Sequence, residues 1–404
     1  MTGKVLMLTA DRQIDRRILN AATSLRTAGW EVVIVGAPVD SDAASEPGVV
    51  RINSAVGEAT RESLVAWCYR WLRTRMGRNS HLIRWLKQRA WYYLVDHETF
   101  HARLYWPTVK DLQATVIVAN DLPMLPVAAK LADASGAQLV YDSHELYSEQ
   151  EFPAVERSRW QTVEQKFIGR CAAVITVNES IANELESRYS LSGVHVILNA
   201  ERCSEPPAQS RYWHEVFGLP TDAVILLFQG GLSANRNLEK MVQAMQGLPN
   251  PAVHLVLLGD GELQPTLAKL IKHHHLMGRV HLHPAVPQDR LLALTAAADA
   301  GIIPYQAICL NNLYCTPNKM FEFIAAGLPI LASDLPEIRR IVVGHDIGQV
   351  ANLGKADLIR ATIQDFFSTP TRLAHWRRNL RATRSVVCWE VEAKKLLRIY
   401  EPLR

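Results

Sequence analysis

Runs of consecutive apolar residues, each closing on a polar or glycine-rich turn, recur along the chain and govern how its fold is read. KVLMLTA at 4–10 is such a run, followed by polar DRQIDRR at 11–17 and then ILNAATSLRTAGWEVVIVG. This predicts strand, loop, helix, glycine stop and strand. Ile18, Ala21, Ala22 and Leu25 recur at helical spacing, Gly29 ends the helix, and residues 32–35 are uniformly apolar. Strands apolar on both faces predict a parallel sheet covered by helices on both sides.

The same grammar returns at 115–121 (TVIVAND), 138–145 (QLVYDSHE), 172–179 (AAVITVNE) and 194–200 (VHVILNA), with helical stretches between most of them. ERCSEPPAQS at 201–210 suits a linker, and a second series follows: AVILLFQGG, AVHLVLLGDG, RVHLHPAV, AGIIPY and PILASD. The prediction is an α/β protein with Rossmann-like, doubly wound domains at 1–200 and 201–385, a length of 404 residues leaving room for two cores. Residues 386–404 predict a closing helix, able to cross back to the first domain, with Trp389, Ala393, Leu396, Leu397 and Tyr400 as its apolar stripe.

Ligands of such sheets bind outside the carboxyl ends of the strands. In the second half those ends carry Gly230, Gly231, Gly259, Asp260 and Gly261. Two sheets facing each other would form an interdomain cleft.

With 48% apolar and 21% charged residues, the composition is that of a globular protein. The short apolar start lacks a secretory h-region and no run reaches the length of a membrane span, so a cytoplasmic or peripheral protein is expected. Cys68, Cys171, Cys203, Cys309, Cys315 and Cys388 show no CxxC pairing, which predicts reduced packing thiols rather than a zinc or redox site. A net charge of +4 is too small to call for nucleic acid.

The densest candidate chemistry lies in TPNKMFEFIAAGLP at 316–329. Thr316 suits an N-cap and Pro317 the first helical position, with Met320, Phe321, Ile324 and Ala325 facing the core. A helix start offers unpaired N–H groups and partial positive charge to a diphosphate. Asn318 and Glu322 share a face, Glu322 can accept from two vicinal ribose hydroxyls, and Lys319 adds charge near a phosphate. The competing reading is a Lys319–Glu322 pair on a solvated face.

In order and content these residues resemble the family 4 retaining glycosyltransferases (glycosyltransferase group 1) of the GT-B fold. Glu322 followed by FIAAGLPI resembles the second glutamate of that family's Glu, seven residues, Glu signature, which implies ribose binding. Tyr314 stands where the first glutamate would be, so the resemblance leaves the sugar end of the site open. NLYCTPNKMFEF is similar to a PNK-containing branch, placing Asn318, Lys319 and Met320 beside the donor. FQGGLSANRNLEKMVQAM at 228–245 resembles the phosphate loop, with Gly230 and Gly231 allowing close backbone approach and Arg236 bonding phosphate. Gly231 replaces the first of two basic residues, which leaves Arg236 and Lys319 to serve. Gly259 in LLGDGE and Pro284 in VHLHPAV match donor-side segments, the latter near the base.

In the first half, YDSHELYSEQ at 141–150 resembles the strand-end histidine loop, implying that His144 lies near the donor sugar. Glu145 orients that loop or faces the acceptor, and Asp121 in NDLP is an acceptor-side candidate or a helix cap. Asp11 and Arg12 stand in place of a glycine-rich first loop, facing donor or acceptor. The resemblance implies His144, Arg236 and Glu322 as the catalytic set, front-face attack with retention, no cofactor beyond the nucleotide-sugar substrate, and no metal.

Residues 61–91 hold eight Lys or Arg, one Glu and the tryptophans Trp67, Trp71, Trp85 and Trp91. This basic, Trp-rich insert, drawn over 61–106, reads either as an interfacial helix meeting anionic lipid through Arg70, Arg73 and Arg75, or as a helical pair with its tryptophans packed inward. The expected partners are a nucleotide-sugar donor, a glycan or polyprenyl-linked acceptor, and an anionic membrane surface. The expected role is hexosyl or related transfer in bacterial surface polysaccharide biosynthesis. A sugar-nucleotide epimerase and a non-catalytic nucleotide-sugar-binding partner are the alternatives.

Overall fold

The computed structural model describes residues 3–39, 48–52, 95–202 and 205–404. Trp67, Trp71, Trp85, Trp91, Arg70, Arg73 and Arg75 of the insert lie outside the described residues. Two compact units divide the chain: Met1–Ile197 together with Ala393–Arg404, and Leu198–Glu392.

Among the described residues the first unit carries seven strands: β1 (Lys4–Leu8), β2 (Glu31–Gly36), β3 (Val49–Arg51), β4 (Val116–Asn120), β5 (Gln138–Ser143), β6 (Ala173–Thr176) and β7 (His195–Val196). All pairs are parallel, in the order β3-β2-β1-β4-β5-β6-β7. β1 is central, Leu6 pairing with Val33 on one side and Ile117 on the other. Leu6, Leu8, Ile117 and Val140 have no exposed surface. Burying such a side chain is worth about 1.5–3 kcal/mol, which is why the apolar runs become interior strands.

The second unit repeats the design with β8 (Val224–Gln229), β9 (Val253–Leu258), β10 (Val280–His283), β11 (Ala300–Ile303), β12 (Ile330–Ser333) and β13 (Gly348–Ala351), in the order β10-β9-β8-β11-β12-β13. In each sheet the strand order reverses beside the first strand, between β1 and β4 and between β8 and β11. These are the switch points where two loops diverge and leave room for a ligand.

The expected strands are present, and two unforeseen ones, β3 and β13, are short edges whose side chains are half-buried apart from the exposed Val50. The 386–404 segment resolves into the end of the Pro370–Val386 helix and a separate Trp389–Tyr400 helix. Residues from Ala393 onward belong to the first unit, where Tyr400 meets Trp30 edge-on at 6.1 Å and the Arg404 guanidinium donates to the Gly29 carbonyl at 3.3 Å. Cys171, Cys309 and Cys315 are free thiols, but Cys388 is disulfide-bonded, which corrects the expectation of a reduced thiol there.

Candidate functional site

The carboxyl ends of β8 and β11 place one cluster in the second unit. β8 ends at Gln229, and the chain turns through Gly230 at a φ of 114°. Gly259, at the end of β9, has a φ of 147°, and a Cβ there would sit on the Gly230 carbonyl oxygen. The two loops therefore touch backbone to backbone, a packing only glycine permits. Gly231 is exposed beside them.

The helix carrying the PNK residues runs Asn318–Ala326, with Pro317 in the N-cap position at a ψ of 139°. It starts one residue later than expected, because Pro317 takes the extended conformation that precedes a helix and Thr316 lies outside it. Lys319 and every helix residue after it are buried, so the solvated Lys319–Glu322 pair does not form. Glu322 instead accepts from the Gln229 carboxamide at 2.5 Å, and Gln229 in turn accepts from the Thr295 hydroxyl at 2.8 Å. This chain holds the carboxylate at the β8 end. Met320 is fully buried core, so its side chain packs rather than binds.

Lys319 is only 6% exposed. Its ammonium donates to Tyr305 Oη at 2.6 Å and lies 4.2 Å from the Phe228 ring centroid. The Arg236 guanidinium stands over the Tyr305 ring at 4.3 Å. Among the described residues neither cation has a carboxylate within the 4.0 Å of an ion pair. A Cβ on Gly230 would lie 3.3 Å from Lys319 Nζ, so the glycine turn and the cations share one place. Tyr305 was not foreseen; the signal for it was its position as the last residue of the AGIIPY strand run.

The remaining second-unit candidates surround this cluster unevenly. Asn318 is exposed and accepts from the Asn199 carboxamide at 3.1 Å. Tyr314 is half-buried and ends the Leu310–Leu313 turn. Pro284, exposed just past β10, accepts from the His283 ring at 2.8 Å, while Asp260 accepts from the Ala285 N–H at 3.2 Å.

The first unit brings His144, Asp121 and Asp142 together at the ends of β4 and β5. Asp121 adopts a φ of 64°, rare for a residue with a Cβ, and caps no helix with its side chain. Oδ1 accepts from the His144 N–H at 2.9 Å, and Oδ2 lies 3.4 Å from Nδ1. Asp142 Oδ2 lies 3.6 Å from Nε2 and its carboxylate is held by Arg17, whose Nη2 donates at 2.8 Å. Burial would lower the His144 pKa, but Asp121 and Asp142 overcome it and hold the imidazolium up to about 9. Burial pushes the Asp121 carboxyl up to about 7 against the opposing pull of His144. Asp142 goes the other way: burial is outweighed by Arg17 and His144, which keep it well below the usual carboxylate range.

Arg17 was not foreseen. It occupies the first turn of the Arg16–Thr27 helix, capped by Asp15, on the buried side next to Ile18. A basic residue within the apolar stripe was the available signal. Of the other candidates in that loop, Asp11 offers its backbone carbonyl to Arg51 and Ala37, and Arg12 is exposed. Glu145 accepts from the Gln150 carboxamide, and its carbonyl accepts from Ser143. A cavity of about 620 Å³ elsewhere in this unit, lined by Trp106, Lys130, Lys166 and Phe167, contains none of these residues. Among the described residues no group of three His, Cys, Asp or Glu could hold a metal, and no helix is long and apolar enough to cross a membrane.

Comparison with known proteins agrees with the arrangement of strands and loops. Residues 209–383 match the family model described as glycosyl transferases group 1, and residues 14–200 match that of a glycosyl transferase 4-like domain. The D-inositol 3-phosphate glycosyltransferase of Xylanimonas cellulosilytica is 28% identical over 259 residues, 59% of this chain and 58% of that protein. The match thus spans less than two thirds of that relative's length. Sucrose-phosphate synthase from Thermosynechococcus elongatus superposes with a TM-score of 0.76 at 16% identity, covering 99% of both chains. HepE of Anabaena, solved with UDP, superposes at 0.69 with 15% identity over 99% of this chain and all of its own. These likenesses establish the GT-B fold of two Rossmann-like domains. With both domain models matched in order along the chain, it belongs to the group 1 glycosyltransferases.

Proposed function

We propose that the chain is a retaining glycosyltransferase that moves a sugar from a nucleoside-diphosphate sugar to a glycan or lipid-linked acceptor. The observation that carries this is the pair of cations beside the Gly230 turn, Arg236 and Lys319, the latter one helical turn before Glu322, neither with a carboxylate partner among the described residues. A buried cation without a counter-charge is costly, so the cluster suits an anionic ligand that completes it. A diphosphate meets the charge, and the ribose hydroxyls donate to Glu322. HepE, of the same fold, has been solved with UDP and with UDP-glucose, which supports a nucleotide-sugar donor.

In this reading the departing diphosphate gathers negative charge as the glycosidic bond breaks, and Arg236, Lys319 and the glycine-loop amides stabilise it. The leaving phosphate draws the acceptor proton on the same face, which retains configuration. Side-chain cations do the work a metal would do, so chelation with EDTA should leave turnover unchanged. His144 contributes a fixed positive charge and a donor to the sugar. The PNK segment supports membership of the corresponding branch. The basic, Trp-rich insert supports an acceptor held at an anionic, cytoplasmic membrane face, as in bacterial surface polysaccharide biosynthesis. Liposome flotation tests this last point, and binding that ignores salt and anionic lipid content overturns it.

The deciding experiment is calorimetric titration with nucleoside diphosphates, followed by NMR assignment of the anomeric configuration of the product. Tight binding lost in Glu322→Ala and an α-product from an α-donor are expected. No diphosphate binding, or inversion, overturns the proposal.

A further inference from the structure

Tyr305 follows β11 at the switch point of the second sheet, opposite the Gly230 turn that follows β8. It is 5% exposed. Its hydroxyl oxygen accepts from Lys319 at 2.6 Å, while the Lys319 ammonium lies 4.6 Å from the ring centroid. Those two distances place the ammonium at the hydroxyl edge of the ring. The face is taken by the Arg236 guanidinium at 4.3 Å. One aromatic side chain thus organises two cations by different chemistry, a hydrogen bond at its edge and a cation–π contact on its face.

The hydroxyl has a second capacity. Having accepted from Lys319, it still carries its own proton, and among the described residues that proton has no acceptor. A phenol can donate and accept at once. Lys319 likewise spends one of its three N–H donors on Tyr305. The donors left over belong to Tyr305, Lys319 and Arg236, and all of them suit phosphate oxygens.

We propose that Tyr305 is itself a diphosphate ligand, donating its hydroxyl proton to a phosphate oxygen while its ring and oxygen hold Arg236 and Lys319 in place around the same anion. The inference rests on the diphosphate reading of this site and adds a third donor to it. It also gives a reason for the absence of a basic residue at Gly231, since Lys319, braced by a phenol, supplies the missing charge.

The test uses the full-length chain and whichever of UDP, GDP or ADP the wild type binds most tightly, with the matching nucleoside as control. Tyr305→Phe removes the hydroxyl and keeps the ring. The expected result is diphosphate binding about tenfold weaker, with nucleoside affinity unchanged and Tm lowered slightly by loss of the Lys319 acceptor. Tyr305→Leu also removes the Arg236 platform and should weaken the diphosphate about fivefold further. Combining Tyr305→Phe with Lys319→Met should cost less than the product of the single effects, because the two groups act together. Equal diphosphate affinity in wild type and Tyr305→Phe overturns the role of Tyr305 alone, leaving the site reading intact. An equal loss for nucleoside and diphosphate marks Tyr305 as merely structural and also overturns it. A wild type that binds none of the three diphosphates overturns the site reading and this inference together.

Discussion

The two strand-end clusters handle charge in opposite ways. In the first unit the charges alternate along a closed chain: Arg17, Asp142, His144, Asp121. Each ion faces a counter-ion, while the buried His144 Nε2 makes no hydrogen bond. In the second unit Lys319 and Arg236 meet on Tyr305 without a carboxylate among the described residues. The first arrangement spends its electrostatics on holding a histidine in one orientation and one charge state. The second leaves its charge without a counter-ion among the described residues and, in our reading, is stabilised by the anion it binds. Mutations should therefore separate into those that damage the protein and those that damage only its hold on ligand.

The largest effect is expected at Glu322. In our reading Glu322→Ala removes the acceptor for the ribose, and it leaves the Gln229 amide without this acceptor, so binding of the nucleoside diphosphate should fall about a hundredfold, some 2–3 kcal/mol, by calorimetry. A loss under threefold would break the assignment. Next comes Asp142→Asn in the closed cluster, which strands a buried arginine and should lower unfolding free energy by about 3 kcal/mol in urea denaturation. Nucleoside-diphosphate affinity should stay put, since that ligand belongs to the other unit in our reading.

Lys319→Met is the sharpest test of the contrast. Diphosphate affinity should drop about tenfold and lose salt dependence, while the ligand-free protein gains about 1–3 °C in Tm from removal of an uncompensated buried charge. A fall in Tm would mean that the lysine is already satisfied. The smallest effect at neutral pH is expected from Asp121→Asn. Because the folded His144 pKa of about 9 exceeds the ordinary 6.5, its contribution to stability is complete below about pH 6.5 and lost as pH rises through about 9. Without Asp121, burial regains ground, and the imidazole midpoint followed by NMR should drop toward 6.5 with the stability decline moving down alongside it. Asp142 and Arg17 also act on this group and Glu145 acts on Asp121, so a midpoint that stays near 9 would assign the shift to Asp142.

Both sheets were legible because a strand buried on two faces must be apolar throughout, and that pattern survives without any knowledge of partners. Edge strands β3 and β13 were not, since half-buried edges carry no such constraint. The glycine turns were legible where a residue type is obligatory: Gly230 and Gly259 could be picked out because loops in contact through their backbones exclude a Cβ. Arg17 and Tyr305 escaped because their importance comes from what the fold brings to them from distant positions. Asp142 is remote in sequence from Arg17, and Tyr305 looks like the polar end of an ordinary strand run until Lys319 and Arg236 are placed around it.

The return of Ala393–Arg404 to the first unit bears on how the protein is made. A ribosome releases Met1–Ile197 long before it reaches Tyr400, so this unit emerges ahead of the second and is finished only after it. Trp30, which ends up against Tyr400 and Arg404, waits without that cover until residues 393–404 have been made. During that interval the nascent first unit offers an apolar spot to chaperones or to a neighbouring chain, and a stop codon placed just ahead of Ala393 would make that exposure permanent.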